Sequence, residues 1–236
     1  MTDQLGYRAG EFVGRCDGIP ILDRSRHLAF ANFMPEDWAT GMLSWGQDNA
    51  GRMEHVGDSL SFQASSSMPD LARECPQSQA LLDAIVAQCG VAAIECEVPV
   101  PTDHVHVEAW LSHRGEGDHF HWHTDRDPIA DELQTRVLSF CYYFHSEPCQ
   151  FIGGELEFFD GVMLQPRHNQ LVFFPPFQIH RVRHVHVVPR GWGGTDDDGS
   201  PTAVWPDSEP VHYLDGRWTI IGWIHSREPV AESTAY

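Results

Sequence analysis

The sequence contains the tripeptide His123-Thr124-Asp125, and a further histidine, His180, follows later in the chain. Two imidazoles and one carboxylate can hold an iron(II) ion on one face and leave its other face open for a cosubstrate and oxygen. In a β-strand, residues i and i+2 point to the same side, so His123 and Asp125 can converge on one ion while Thr124 faces away. His180 must then arrive from a second strand. The spacing therefore predicts a non-haem iron site built from two strands.

Other histidines close to the tripeptide are alternative ligands. His119 and His121 alternate with His123 and Asp125, so all four are predicted to share one strand face. Only His123 has a carboxylate two residues after it, because His121 is followed at that distance by His123. We therefore predict His123 and Asp125 as ligands, with His119 and His121 lying near the metal, facing the substrate or simply packing in the pocket.

Two histidines besides His180 could supply the distal ligand. His184 and His186 have the same strand parity as His180, so the residues alone leave these three alternatives open.

The elements that must position these residues are mostly strands. From Val91 onward the apolar period is two, and at least seven strand candidates separated by Gly, Pro and Asp lie between residues 92 and 226. Strands at this density predict a mainly β fold, a sandwich or jelly roll, with helices of the N-terminal third packed outside.

The N-terminal third contains two predicted helices. The first spans residues 36–49, and the second spans 77–88 and ends at Gly90. Residues 57–69 are polar and rich in serine, which predicts a loop with at most a short strand. We expect one domain over residues 1–236, with N-terminal strands and helices in 1–100 and a jelly-roll core in 101–226.

Residues 189–210 interrupt the strand pattern. They contain a run of glycines and aspartates, together with Trp192 and Trp205. A loop of this length inside a compact domain is functional or disordered. We predict a substrate lid here, with an acidic insertion as the alternative.

The composition excludes several classes of partner. Fifteen basic against 34 acidic side chains give a formal charge of −19, which repels nucleic acid and anionic lipid. No apolar stretch is long enough to span a bilayer, and the N-terminus has no secretory signal, so a cytoplasmic location is expected. The six cysteines form no CxxC pair and are predicted to be structural thiols.

The order of motifs around the tripeptide carries a resemblance. Arg136 precedes the apolar run 137–144, Gly153-Gly154 follows, and the apolar segment 171–175 comes before His180. The series ends with the alternating segment 216–223. This order resembles the iron(II)/2-oxoglutarate dioxygenases of the prolyl 4-hydroxylase type, over roughly residues 100–226. The resemblance implies a double-stranded β-helix, a cupin-like jelly roll.

The resemblance also assigns the distal ligand and the cosubstrate anchor. An apolar run before the histidine and valine after it favour His180 as the distal ligand. The distal carboxylate of 2-oxoglutarate needs a cation, and the planar fork of arginine binds carboxylate through two hydrogen bonds. In most relatives this residue lies about ten positions after the distal histidine, where Arg190 stands. Arg217 is preferred because it opens an alternating strand, and Arg190 remains the rival.

Three further residues are predicted at the cosubstrate. Tyr143 matches a tyrosine that commonly helps to hold the distal carboxylate, although it could be a core aromatic. Thr219 and Trp223 share the strand parity of Arg217 and could line the pocket.

The function implied is hydroxylation of an unactivated C–H bond with iron(II), 2-oxoglutarate and O2, releasing succinate and CO2. The substrate would be an amino acid, a peptide or a small natural product, and the oligomeric state is not predicted. Desaturation or cyclisation by the same class of oxygenase is one alternative, and a non-catalytic cupin-like metal-binding or sensing module is another. A zinc hydrolase is disfavoured because the chain has no HExxH motif.

Overall fold

The computed structural model describes residues 12–16, 19–22, 24–57, 63–99, 105–126, 135–188 and 214–226, and the structural statements below concern these residues. The helices are α1 Glu36–Asp48, α2 Leu71–Glu74 and α3 Gln79–Glu95, with 3-10 turns at Ala50–Arg52 and Pro76–Ser78. The strands are β1 Phe12–Cys16, β2 Ile19–Leu22, β3 Leu28–Ala31, β4 Glu54–Val56, β5 Gln63–Met68, β6 His106–Arg114, β7 His119–His123, β8 Arg136–Phe144, β9 Phe151–Gly153, β10 Leu156–Phe158, β11 Met163–Leu164, β12 Gln170–Phe174, β13 His180–Val182, β14 Val185–Val187 and β15 Arg217–His225.

Two antiparallel sheets share one strand. The larger sheet has the order β3-β12-β8-β15-β6-β5, with β4 also paired to β5, and the smaller sheet continues as β7-β13-β10-β11. Within β5, Ser66–Met68 pair with β6, whereas Gln63 and Ala64 pair with β7. This one strand therefore joins the two layers along one side. The predicted mainly β jelly roll is confirmed.

The helices cover the outer face of the larger sheet. Met42 of α1 and Leu81 and Ile85 of α3 are fully buried, in the same apolar cluster as Phe140 and Tyr142 of β8. The opposite face of the larger sheet is left for the smaller sheet and for the cavity described below. The position of the helices outside the β core agrees with the sequence prediction.

One predicted helix boundary in the N-terminal third is wrong. Helix α3 does not end at Gly90 but continues to Glu95, and it buries Ala92 and Ala93. A helical glycine costs only about 1 kcal/mol relative to alanine, and burial of the following turn outweighs it. In the serine-rich segment 57–69, predicted as a loop with room for a short strand, Gln63–Met68 form β5, which pairs with β4 and β6.

Three other predictions concern the 189–210 segment, the cysteines and the absence of membrane-spanning segments. The proposed lid at 189–210, including Arg190, lies outside the described residues. Five cysteines are free thiols, of which four are buried and Cys149 is exposed; the side chain of Cys16 is outside the description. In the described part of the chain, no helix has the length and apolar character needed to cross a membrane.

Candidate active site

Three predicted metal ligands converge where two strands of the smaller sheet, β7 and β13, pair. His123 ends β7, His180 begins β13, and the two residues are paired across the strands. Asp125 lies just beyond β7 rather than within it, and its backbone N–H donates to the carbonyl of Pro176 at 2.8 Å. Its Oδ1 is 3.6 Å from Nε2 of His123, and its Oδ2 is 3.8 Å from Nε2 of His180. The ligand atoms of all three lie within 4.8 Å of one another.

The backbone orients both imidazoles. Nδ1 of His123 lies 2.7 Å from the carbonyl oxygen of His121, and Nδ1 of His180 lies 2.8 Å from that of Gln178. A carbonyl can only accept, so each Nδ1 carries the proton and each Nε2 keeps its lone pair free. Such hydrogen bonds are what fixes the tautomer and ring orientation of metal-ligating histidines.

The protonation states also suit a metal. Burial alone would raise the pKa of Asp125, but His180, His123 and the Ser139 hydroxyl outweigh it and hold the pKa well below its usual range. Ser139 Oγ donates to Asp125 Oδ2 at 2.6 Å. Burial, together with His123, lowers the pKa of His180 to about 4. At neutral pH the carboxylate is ionised and His180 is neutral, as coordination requires.

The prediction that His119 and His121 share the metal-facing side of β7 is wrong. Between the pairs His180–His123 and Val182–Phe120, β7 has one residue more than β13. This bulge reverses the alternation, so Phe120 and His123 line the cavity together and their rings stack at 3.7 Å. His119 instead stacks on His184 at 4.3 Å, and neither it nor His121 lines the cavity.

The other candidates for the distal ligand lie elsewhere. His184 belongs to the stack with His119, and exposed His186 pairs with Glu116 at 3.1 Å. The shared strand parity predicted for the three histidines does not hold, because β13 ends at Val182 and His186 lies on the separate strand β14. Only His180 of these three faces Asp125.

A buried cation lies at the far end of the same cavity. The side chain of Arg217 is 1% exposed, and none of its three guanidinium nitrogens has a hydrogen-bond partner among the described residues. The hydroxyls of Tyr143 and Thr219 are also buried and form no hydrogen bond to another described residue, and the guanidinium carbon of Arg217 lies 4.8 Å from the centre of the Tyr143 ring. Burial raises the pKa of Tyr143, so its phenol stays protonated and can donate. Unsatisfied buried donors around a guanidinium are suited to an anionic ligand.

Gly154 provides the space for this arginine. Its φ is +69°, and a Cβ there would lie 2.8 Å from Cδ of Arg217. Glycine is therefore required for both its backbone conformation and its closeness to the arginine.

A second buried arginine was missed by the sequence analysis. Arg114 on β6 is directly opposite Arg217 on β15, is 2% exposed and lines the cavity. Its NH1 donates to Ser112 Oγ at 3.1 Å, while its Nε has no hydrogen-bond partner among the residues that the structure describes. Burial, together with Arg217, lowers the pKa of Arg114 to about 9. The only sequence signal was its position near the end of an apolar strand.

Trp223 lies at the metal end of the cavity rather than beside Arg217. It is six residues further along β15, roughly 20 Å for a strand, and it pairs with Ser139. The guanidinium of Arg136 covers its ring at 3.7 Å, and Arg136 also donates to the backbone carbonyl of Asp125 and to Glu108. Trp110 meets the same ring edge-on at 6.1 Å.

One cavity connects these groups. It has a volume of about 300 Å³, and its lining includes the three metal-ligand candidates, both arginines and Trp223. A carboxylate and two imidazoles can bind iron(II) at one end, and the unpaired guanidinium with the Tyr143 and Thr219 hydroxyls can bind a carboxylate at the other. The residues therefore fit iron(II) and 2-oxoglutarate.

Comparison with known proteins agrees with this class of site. Residues 109–193 match the model of the 2OG-Fe(II) oxygenase superfamily. The chain is 24% identical over 140 residues to an uncharacterised PKHD-type hydroxylase of Synechocystis sp., a match that covers 54% of this chain and 39% of that relative. The chain thus accounts for about two fifths of the length of that relative.

Solved structures share the fold. A prolyl-4-hydroxylase of Pseudomonas putida matches with a TM-score of 0.57 and 17% identity, covering 86% of this chain and 94% of that one. A prolyl hydroxylase of Trichoplax adhaerens, in complex with a hypoxia-inducible-factor peptide fragment, matches with a TM-score of 0.58 and 12% identity, covering 90% and 89%. Residues 109–193 are thus similar to the 2OG-Fe(II) oxygenase superfamily, and the chain shares its fold with solved prolyl hydroxylases.

Proposed function

We propose that this protein is an iron(II)- and 2-oxoglutarate-dependent dioxygenase that hydroxylates an unactivated C–H bond of an amino acid, a peptide or a small natural product. The observation that carries the proposal is the pairing, in one cavity, of a three-donor cluster with a buried arginine that has no partner among the described residues. The cluster alone would suit many metalloproteins. The arginine adds a binding site for the carboxylate of the cosubstrate.

Each group has a distinct role in this proposal. His123, Asp125 and His180 hold iron(II), and Arg217, with the Tyr143 and Thr219 hydroxyls, holds the distal carboxylate of 2-oxoglutarate. When bound, these groups supply the oxidative chemistry, in which R–H, O2 and 2-oxoglutarate give R–OH, succinate and CO2. The chain itself positions the reactants and excludes water.

Aromatic side chains keep the metal end of the cavity dry. Phe120 stacks on His123, and Phe174 meets the ring of His180 edge-on at 4.8 Å. Both phenylalanines line the cavity, so the ligand rings are flanked by apolar surface. A dry site strengthens the electrostatic interactions within it and protects reactive species from side reactions.

The residues around Trp223 provide a wall for the substrate. Nε1 of Trp223 and Nε of Arg136 are buried donors without partners in the described part of the chain, and both residues line the cavity at its metal end. A substrate with a carbonyl or carboxylate next to the oxidised carbon could accept from them. This favours an amino acid or peptide over a hydrocarbon-like natural product.

Arg217 also bears on the non-catalytic alternative. A cupin-like binding or sensing module needs no buried cation at a distance from its metal, and an unpaired buried guanidinium is costly to keep. Desaturation and cyclisation require the same cofactors, so product analysis must separate them from hydroxylation.

We further propose that residues 1–236 form one dioxygenase domain and that residues 189–210 act as a lid. In chain order they lie between β14 and β15, and β15 carries Arg217 and Trp223, which line the cavity. The cytoplasmic location stays a prediction of the sequence.

Anaerobic titration tests the proposed function. Apoprotein given iron(II) and then 2-oxoglutarate should develop the weak visible charge-transfer band of the metal-bound 2-oxo acid, and oxygen should then produce succinate. His123→Ala and Asp125→Ala should abolish both signals while circular dichroism shows an intact fold. Wild-type protein that binds iron(II) but never develops the band would favour the metal-binding module instead.

A further inference from the structure

Arg114 and Arg217 place two positive charges side by side in the interior. They are directly opposite each other on β6 and β15, and Arg114 is 2% exposed and Arg217 is 1% exposed. Side chains of directly opposed residues lie on the same face of a sheet, so both guanidinium groups point to the cavity that they line. No carboxylate of the described residues forms an ion pair with either of them.

Such an arrangement is costly without an anion. Burial removes water from both guanidinium groups, and their mutual repulsion adds to that cost. The only hydrogen bond of the Arg114 side chain within the described chain is donated to the neutral Ser112 hydroxyl, which cannot compensate a charge. The depressed pKa of Arg114 is consistent with this repulsion.

We propose that Arg114 is a second anchor for the distal carboxylate of 2-oxoglutarate, so that one carboxylate is clamped between two guanidinium groups. The inference rests on the proposed function, because it assigns a further residue to the cosubstrate end of the same cavity. A carboxylate has two oxygens with about four acceptor sites, which is enough for the forks of two arginines.

The clamp gives Arg114 opposite effects on the free and the bound protein. In the free protein, replacing it with methionine relieves repulsion and fills similar space, so stability should be unchanged or higher. In the bound protein, the same change removes a charge-assisted contact with the ligand. A purely structural arginine would show the reverse pattern: lower stability and unchanged affinity.

The experiment compares two 2-oxo acids bound anaerobically to the iron(II) protein, with affinity measured from the charge-transfer band and by calorimetry. 2-Oxoglutarate carries the distal carboxylate, and 2-oxopentanoate has a methyl group in its place. Arg114→Met should weaken 2-oxoglutarate by 10- to 100-fold and change 2-oxopentanoate by less than 3-fold. Thermal unfolding of the apoprotein should show a midpoint equal to or above that of wild type.

Two further variants make the result specific. Arg114→Gln keeps a donor for Ser112 but removes the charge, so it should also lose 2-oxoglutarate affinity; it serves if the methionine variant does not fold. Arg181→Met removes an arginine that pairs with Glu157 on the smaller sheet and does not line the cavity. This control should leave the affinity for both acids unchanged.

The outcomes separate the two proposals. If wild type shows the band and the Arg114 variants keep wild-type affinity for 2-oxoglutarate, the two-arginine clamp is wrong while the proposed function stands. An equal loss for both acids would also overturn the clamp, since the distal carboxylate would not be the group recognised. If wild type itself binds iron(II) but no 2-oxo acid, the proposed function fails and the clamp falls with it.

Discussion

Replacing Ser139 with alanine should weaken the metal site without touching a ligand. Ser139 is 1% exposed, and its hydroxyl donates to Asp125 Oδ2 at 2.6 Å. This is the oxygen that also faces His180. Alanine fits the same space on β8 but leaves that carboxylate oxygen without its short hydrogen bond. The carboxylate is then freer to turn away from the two imidazoles.

The magnitude follows from the charge on the acceptor. A hydrogen bond to an ionised group contributes about 1.5–3 kcal/mol, and each 1.36 kcal/mol corresponds to about tenfold in an equilibrium constant. Ser139→Ala should therefore lower iron(II) affinity by roughly 10- to 100-fold, which is also the range usual for groups that support metal ligands. The apoprotein should lose about 1–2 kcal/mol of stability at neutral pH, because the ionised carboxylate keeps its burial but loses a donor.

Anaerobic calorimetric titration with iron(II), and with cobalt(II) as an air-stable substitute, measures the affinity directly. Ser78→Ala is a matched control, since Ser78 is also fully buried but lies in the helical layer, where its hydroxyl donates to the Leu71 carbonyl. A folded Ser139→Ala variant with wild-type affinity for both metals would refute the idea that this hydroxyl holds Asp125 in place.

Three further predictions concern the cosubstrate end and the core. Arg217→Met should weaken 2-oxoglutarate by at least 100-fold, far more than Arg190→Ala, and calorimetry that ranks the two in reverse would return Arg190 to the anchor position. Gly154→Ala should displace the Arg217 side chain and add about 1–2 kcal/mol of backbone strain, seen as a lower melting temperature and weaker 2-oxoglutarate binding. Asn169→Ala should lower the free energy of unfolding by about 2–4 kcal/mol, because it leaves the buried Tyr142 hydroxyl and the backbone N–H and C=O of Met34 without their partner. Urea unfolding measures this loss, and a value under about 1 kcal/mol would contradict the prediction.

The pairing of His123 with Asp125 could be predicted because it depends on short spacing and residue type, whereas the choice of His180 over His184 and His186 depended on the resemblance. The details of β7 could not be predicted. A bulge depends on how many residues two strands place between successive pairs, and the sequence of one strand does not contain that number. His119 and His121 were therefore assigned to the wrong face, and Asp125 was placed on a strand that ends at His123.

Unknown cross-strand register also limited the prediction of residues at the cosubstrate end of the cavity. The alternation after Arg217 predicts a strand, and the structure has it as β15. That Arg114 lies opposite depends on the pairing of β6 with β15, which are about a hundred residues apart. For β5 the sequence predicts no more than a short strand without bounds. Its serines show no apolar alternation, and its strand conformation is imposed by the neighbours that pair with it.

The position of β15 has a consequence for how the protein is made. It is the last described strand in chain order, yet it lies between β6 and β8 at the centre of the larger sheet. On the ribosome, β6 and β8 emerge long before β15, so until β15 is synthesised each has an unpaired edge that could pair with another chain. A nascent chain halted before β15 would lack both Arg217 and the strand that joins the two halves of the sheet. The anion-binding end of the site and the completed sheet therefore come into existence in the same late step.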